Sequence, residues 1–253
     1  MGQLRLIARL DIKGPNLIKA IQLEGVRKLG DPQEFARRYY KNGIDEILYM
    51  DAVASLYGRG MLTQIVARTA EEVFVPITVG GGIRSVDDVR DMLRAGADKV
   101  AVNSAATHRP EIITEIAETF GSQCMVLSID AKRNGKDQWE AYRDGGREHT
   151  DLDVVEWAKR GQALGAGEIL LTSVDKEGTR KGFDLDLVRS VSDAVTIPVI
   201  ASGGMGRLDD LTNVVKDGHA DAVAMAHVLH FDTIPLPDIR EHAISDQLPV
   251  RTL

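Results

Sequence analysis

The sequence predicts a single (βα)8 TIM barrel spanning residues 1–253, on three observations. Eight short β-branched or apolar runs recur along the chain, each followed by a helical pattern. Their spacing, about 32 residues, is that of one βα repeat. The runs are continuously apolar, as parallel strands covered on their outer face must be. Several motifs return after roughly half the chain, which indicates two similar half-barrels.

The runs are Leu6 to Leu10, Ile47 to Met50, Ile77 to Val79 and Val100 to Val102, then Met125 to Ile129, Ile169 to Leu171, Val199 to Ala201 and Ala222 to Met225. One helix shows how the intervening stretches read. Ser85 caps it, Asp88 stands at the third position, and Val86, Val89, Met92 and Leu93 form one apolar stripe. Gly96 supplies the left-handed stop. The stripe returns 122 residues later as Leu208, Leu211, Val214 and Val215, with Gly218 expected to repeat the stop. Gly80-Gly81-Gly82 is matched by Ser202-Gly203-Gly204, and Gly43-Ile44-Asp45-Glu46 by Gly165-Ala166-Gly167-Glu168. Arg9-Leu10-Asp11-Ile12-Lys13 is echoed by Ser128-Ile129-Asp130-Ala131-Lys132 at an offset of 119. Two separate four-strand domains would leave parallel edges unpaired, whereas closure into one barrel removes them. No linker or low-complexity segment divides the chain.

With 43% hydrophobic residues the chain can bury a sizeable core. The net charge of −7 argues against nucleic acid or an anionic membrane surface as partner. It does not argue against a phosphorylated substrate, because backbone N–H groups bind phosphate without side-chain charge. The first residues carry Arg5, Arg9 and Asp11, no apolar run suits a signal peptide or a membrane span, and the single Cys124 forms no internal disulfide. A cytoplasmic protein is expected.

In barrels of this kind the chemistry lies at the C-terminal ends of the strands. Asp11 closes the first run and Asp130 the fifth, at opposite sides of one mouth, as a general acid and a general base would stand. Gly81 and Gly82 end the third strand; Gly203 and Gly204 end the seventh. Asn103 with Ser104, and Ala226 with His227, follow the fourth and eighth. Each half thus supplies one phosphate cradle, and the pair implies a long substrate with a phosphate at each end. Lys19, in the loop after the first strand, is either a ligand for a substrate anion or a solvated side chain. Arg5, Glu46, Lys99 and Glu168 stand at strand starts on the opposite face, where the pattern alone reads as salt-bridged capping. Cys124 reads as a small residue in or near the core. Neither metal-ligand spacing nor a nucleophilic triad is present, and no cofactor is expected.

These segments resemble the cyclase subunit of imidazole glycerol phosphate synthase over nearly the whole chain. The most specific are Thr78-Val79-Gly80-Gly81-Gly82-Ile83, Arg94-Ala95-Gly96-Ala97-Asp98-Lys99, Ile129-Asp130-Ala131-Lys132-Arg133 and Ile200-Ala201-Ser202-Gly203-Gly204. The resemblance implies a lyase-type reaction of histidine biosynthesis. Ammonia attacks a bis-phosphorylated ribulosyl formimino aminoimidazole carboxamide ribotide, and imidazole glycerol phosphate leaves. It places the acid–base pair on Asp11 and Asp130, and substrate contacts on Lys19, Thr172 and Glu177. It makes Arg5, Glu46, Lys99 and Glu168 an ammonia gate beneath a docked glutaminase subunit of a glutamine amidotransferase complex.

The chain departs from the family pattern at Arg9, at Gly14-Pro15-Asn16, and at Ala20, Val53, Glu177 and His227, all on or near the substrate side. That distribution also fits a divergent paralogue, supplying ammonia with a glutaminase and an amidotransferase for acetamidino modification of surface glycans. A stand-alone sugar-phosphate isomerase is the third alternative.

Overall fold

The computed structural model describes residues 2–52 and 60–252. It has twelve strands: β1 (Arg5–Lys13), β2 (Asn16–Ile21), β3 (Glu24–Gly30), β4 (Glu46–Asp51), β5 (Ile77–Gly80), β6 (Lys99–Val102), β7 (Met125–Gly135), β8 (Gln138–Arg143), β9 (Glu148–Asp153), β10 (Glu168–Ser173), β11 (Val199–Ser202) and β12 (Ala222–Met225). Eight of them, β1, β4, β5, β6, β7, β10, β11 and β12, pair in parallel in that order. The β7–β10 pairing completes a closed eight-stranded barrel. Each apolar run predicted from sequence is one of these eight, and helices alternate with them around the outside.

The strands are apolar on both faces because each face has its own core. Leu6, Ala8, Leu10 and their counterparts point outward into the layer between barrel and helices. Ile7, Leu48, Ala101, Val126, Leu170, Ile200, Ala222 and Ala224 point inward and fill the lumen. The barrel is therefore a packed solid, as the fold requires, with its chemistry confined to the rims.

Two antiparallel hairpins were not foreseen. β1 and β7 both run past the barrel rim and fold back, as β2–β3 and β8–β9. The two hairpins obey the half-barrel repeat, since β2 and β8 start 122 residues apart. Asp11 and Asp130 consequently do not end their strands. Each stands where the parallel barrel ladder gives way to its hairpin, Asp11 opposite Ile18 and Asp130 opposite Tyr142.

The helix over Val86–Arg94 starts as expected. The Ser85 hydroxyl accepts from Asp88 N–H at 3.2 Å, while the Asp88 carboxylate accepts from Ser85 N–H at 3.0 Å. Its stop is Gly96, at φ +106°. The predicted partner stop, Gly218, is not the left-handed residue; His219 is, at φ +60°. One extra residue enters the second half at this point, so the structural offset becomes 123 and Asp98 corresponds to Asp221.

Those two aspartates belong to a recurring clamp on the rim away from the hairpins. Asp45 accepts from Leu6 N–H (2.9 Å), Asp98 from Ile77 N–H (2.8 Å) and Asp221 from Val199 N–H (2.9 Å). Each ties the start of one strand to its neighbour. At the fourth equivalent place Gly167 keeps only the backbone bond, to Met125 O at 2.9 Å. A Cβ there would lie 2.2 Å from Ser122 O, so glycine is required by the close approach of the backbone. Among the described residues, no helix is long and apolar enough to cross a membrane.

Candidate active site

Strand alternation sets the site. Along β1 the inward positions are Arg5, Ile7, Arg9 and Asp11, so one strand carries charge at both rims and an aliphatic residue in the middle. β7 lies diametrically opposite and presents Val126, Ser128 and Asp130 in the same way. Both aspartates are buried, at 7% and 8% exposure.

Their surroundings differ. Asp11 accepts a hydrogen bond from Arg9 Nε at 3.0 Å. Burial opposes its charge, but the Arg9 guanidinium, Lys19 and the hydrogen bond together outweigh burial and hold the carboxyl below its usual range. Asp130 has a neutral partner, Asn103, whose Nδ2 donates to it at 3.0 Å and to Tyr142 O at 3.1 Å. Burial dominates there; Arg9 and the Asn103 bond oppose it, the charges of Asp11 and Glu177 aid it, and Asp130 is pushed up to about 6. The residue that corresponds to Arg9 is Ser128, a fully buried serine whose hydroxyl has no partner among the described residues.

The glycine pairs adopt matching left-handed conformations, with φ +96° and +71° at Gly81 and Gly82 and +94° and +117° at Gly203 and Gly204. Each pair also lies tightly on its neighbour. A Cβ at Gly81 would meet Asp51 O at 2.4 Å, and one at Gly204 would meet Gly182 O at 2.2 Å. Asn103 and Ala226 share an unusual backbone geometry (φ −118°, ψ −85° and φ −127°, ψ −68°), each just before a short helical turn. Ser104 is drawn toward the β8–β9 turn, its hydroxyl bonded to Asp144 at 3.1 Å. Beside Gly203 and Gly204 lies a small recess, lined also by Arg9, Glu177, Ala226 and His227. Burial, with Arg180 and Lys19 nearby, lowers the His227 pKa and favours its neutral form.

Lys19 is not a loop side chain. It lies in β2, is 4% exposed, and forms a buried ion pair with Glu177. Gln22 N–H donates to Glu177 O at 2.9 Å, so the first-half hairpin rests on the β10 loop of the second half. Thr172 also faces the mouth, its hydroxyl accepting from Arg9 Nη1 at 2.9 Å.

On the opposite rim the four charges form a closed ring. Arg5 bonds Glu46 (2.9 Å) and Glu168 (2.5 Å), and Lys99 bonds Glu46 (3.1 Å) and Glu168 (2.9 Å). Each cation bridges both acids across the barrel floor, and Thr78 donates to Glu46 at 2.5 Å. The ring closes the floor of the barrel.

The structure thus gathers Asp11, Asp130, Lys19, Asn103, Thr172, Glu177 and both glycine cradles at one rim, and Arg5, Glu46, Lys99 and Glu168 at the other. The sequence reading set Arg9 on or near the substrate side but gave neither Arg9 nor Ser202 a role in the site. Period-two alternation would have put Arg9 on the Asp11 face, but not its hydroxyl partners. Cys124 is buried and free. Val53 lies outside the described residues. Among the described residues, no group of three or more His, Cys, Asp or Glu side chains is arranged to hold a metal ion.

Comparison with known proteins follows the same outline. Residues 5–235 match the family described as histidine biosynthesis protein. A protein of Legionella pneumophila named imidazole glycerol phosphate synthase subunit HisF is 65% identical over 210 residues, covering 83% of this chain and 99% of the relative.

Proposed function

This chain belongs to the histidine biosynthesis protein family, and from that premise we propose that it is the cyclase subunit of an imidazole glycerol phosphate synthase, a lyase acting within a glutamine amidotransferase complex. The 65% identity to a relative of that name favours this reading over the sugar-modification and isomerase alternatives. The structural observation that carries the chemistry is the pair of opposed carboxylates, one held ionised and the other raised to about 6.

Addition of ammonia to the ketone of a ribulosyl substrate needs a proton delivered to oxygen and one removed from nitrogen. Asp130, whose pKa lies nearer the working pH, is the proton donor, and Asp11, ionised beside Arg9, is the acceptor. Ring closure and cleavage then release imidazole glycerol phosphate and an aminoimidazole carboxamide ribotide.

The twin cradles support a substrate with a phosphate at each end. One phosphate sits near Gly81, Gly82, Asn103 and Ser104, the other near Gly203, Gly204, Ala226 and His227. Lys19, Thr172 and Glu177 line the path between them. The closed charge ring supports docking of a glutaminase on that rim, with ammonia admitted when Arg5, Glu46, Lys99 and Glu168 part. The cytoplasm is the compartment that suits this chemistry.

The test is turnover of the ribulosyl formimino substrate by the purified chain with ammonium salt and no partner. Ammonia-dependent imidazole glycerol phosphate establishes the cyclase. No turnover from a folded chain rejects it.

A further inference from the structure

The recess of the second cradle holds a cation whose free donors the acid–base reading leaves without a task. Arg9 is 4% exposed. Its Nε donates to Asp11, and Nη1 donates to Thr172 Oγ1 at 2.9 Å and Ser202 Oγ at 3.1 Å. Three of five N–H groups are therefore committed, two of them to neutral hydroxyls. The two on Nη2 take no partner among the described residues. A guanidinium is planar, so anchoring Nε and Nη1 fixes where Nη2 points. The side chain lines the recess together with Gly203, Gly204, Ala226 and His227.

Arg180 stands near His227 on the exposed side of the recess, which leaves Arg9 as the available cation buried within it. Lys19 is paired with Glu177, and His227 is held toward its neutral form. A buried guanidinium with open donors beside a glycine cradle matches a phosphate group, which takes charge-assisted bonds from such a fork.

We propose that Arg9 is an anion ligand of the second cradle, its guanidinium shared between Asp11 and a phosphate seated at Gly203 and Gly204. Arg9 thereby couples occupancy of the cradle to the reactivity of Asp11. With the cradle empty, Asp11 is the carboxylate bonded to the guanidinium, with Glu177 and Asp130 adding charge without a bond to it, and Asp11 is a muted base. When a phosphate takes Nη2, that balance is shared and Asp11 becomes the better proton acceptor as the substrate arrives. The inference rests on the reading of Gly203 and Gly204 as a phosphate cradle.

Titration calorimetry with inorganic phosphate on the purified chain tests it without needing turnover. The wild type is expected to bind phosphate at two sites. Arg9→Met should weaken one of them at least tenfold, and Arg9→Lys should recover part of the loss. Asp11→Asn should tighten the same site several-fold, because the guanidinium is no longer shared; a merely structural ion pair predicts no such gain. Should Arg9→Met fold poorly, the double variant Arg9→Met/Asp11→Asn, which removes both charges, replaces it and is read against Asp11→Asn alone. Unchanged phosphate affinity on loss of Arg9, or no tightening in Asp11→Asn, overturns the proposal. Ammonia-dependent turnover in the wild type is scored separately. Its failure with Arg9-dependent phosphate binding rejects the cyclase and leaves this site standing; its success with Arg9-independent binding does the reverse.

Discussion

The two half-barrels repeat each other down to their hairpins, yet they treat the same carboxylate in opposite ways. Asp11 lies beside a buried arginine and is held ionised; Asp130 lies beside an asparagine amide and is pushed up to about 6. Two residues upstream, the first half has Arg9 where the second has Ser128. This difference on the inner face of a strand, with Lys19 beside Asp11, accompanies the separation of the two carboxyls on a symmetric scaffold. A repeat supplies two copies of a group, and its departures assign their tasks.

The comparison is most exposed through kcat. Asp130→Asn and Asp11→Asn should each lower kcat by ~10²–10⁴, the range for a positioned acid or base, with the far-ultraviolet spectrum unchanged. Steady-state turnover with ammonium salt reads this, and a wild-type rate in either variant removes that residue from the chemistry.

Stability should respond with opposite signs in the two halves. Asp11→Asn leaves Arg9 buried without its counter-charge and should cost ~3–5 kcal/mol. Asp130→Asn removes a carboxylate whose ionised form is disfavoured by burial, and at pH 7.5 should stabilise by ~3 kcal/mol, from a shift of about two units. Urea denaturation of the two variants decides between this and a symmetric pair, which would move both midpoints the same way.

The second of these effects also has a pH signature. Because folding raises the Asp130 pKa, its contribution favours the fold below the unfolded value near 4 and is lost as pH rises through about 6. The advantage of Asp130→Asn should therefore shrink toward zero between pH 6 and pH 4. A constant difference over that range would mean that Asp130 is ionised throughout.

The smallest effect lies at the helix starts. Ser85 caps its helix through its hydroxyl, whereas Arg207, at the same place in the second half, makes no side-chain cap bond. Ser85→Ala should cost ~1 kcal/mol, and Arg207→Ala about a tenth to a half of that. Thermal melts of the two variants compare them directly.

The barrel was legible because its signals are local. Continuous apolar runs, the Ser85–Asp88 box and the repeated glycines each need only a few neighbouring residues to be recognised. The hairpins were hidden because their strands lack that signature. Gly14-Pro15 made Asn16-Leu17-Ile18-Lys19 look like a loop, and Glu148–Asp153 is almost wholly polar. The stop at His219 was missed because one inserted residue moves the left-handed position off Gly218. The aspartate pair could be found from its spacing, but the bias between its members could not. That bias depends on burial and on Lys19 and Asn103, brought in from other elements by the fold, which no local pattern announces.

The aspartate clamps on the far rim bear on the mouth although they never touch it. The diameter of a closed barrel follows from its strand number and from the stagger between neighbours. Asp45, Asp98 and Asp221 each pin the stagger of one strand pair by gripping the first or second amide of the adjoining strand. They act as calipers, setting the width across which Asp11 and Asp130 face each other. The interval between the two carboxyls is thus fixed from the opposite end of the barrel.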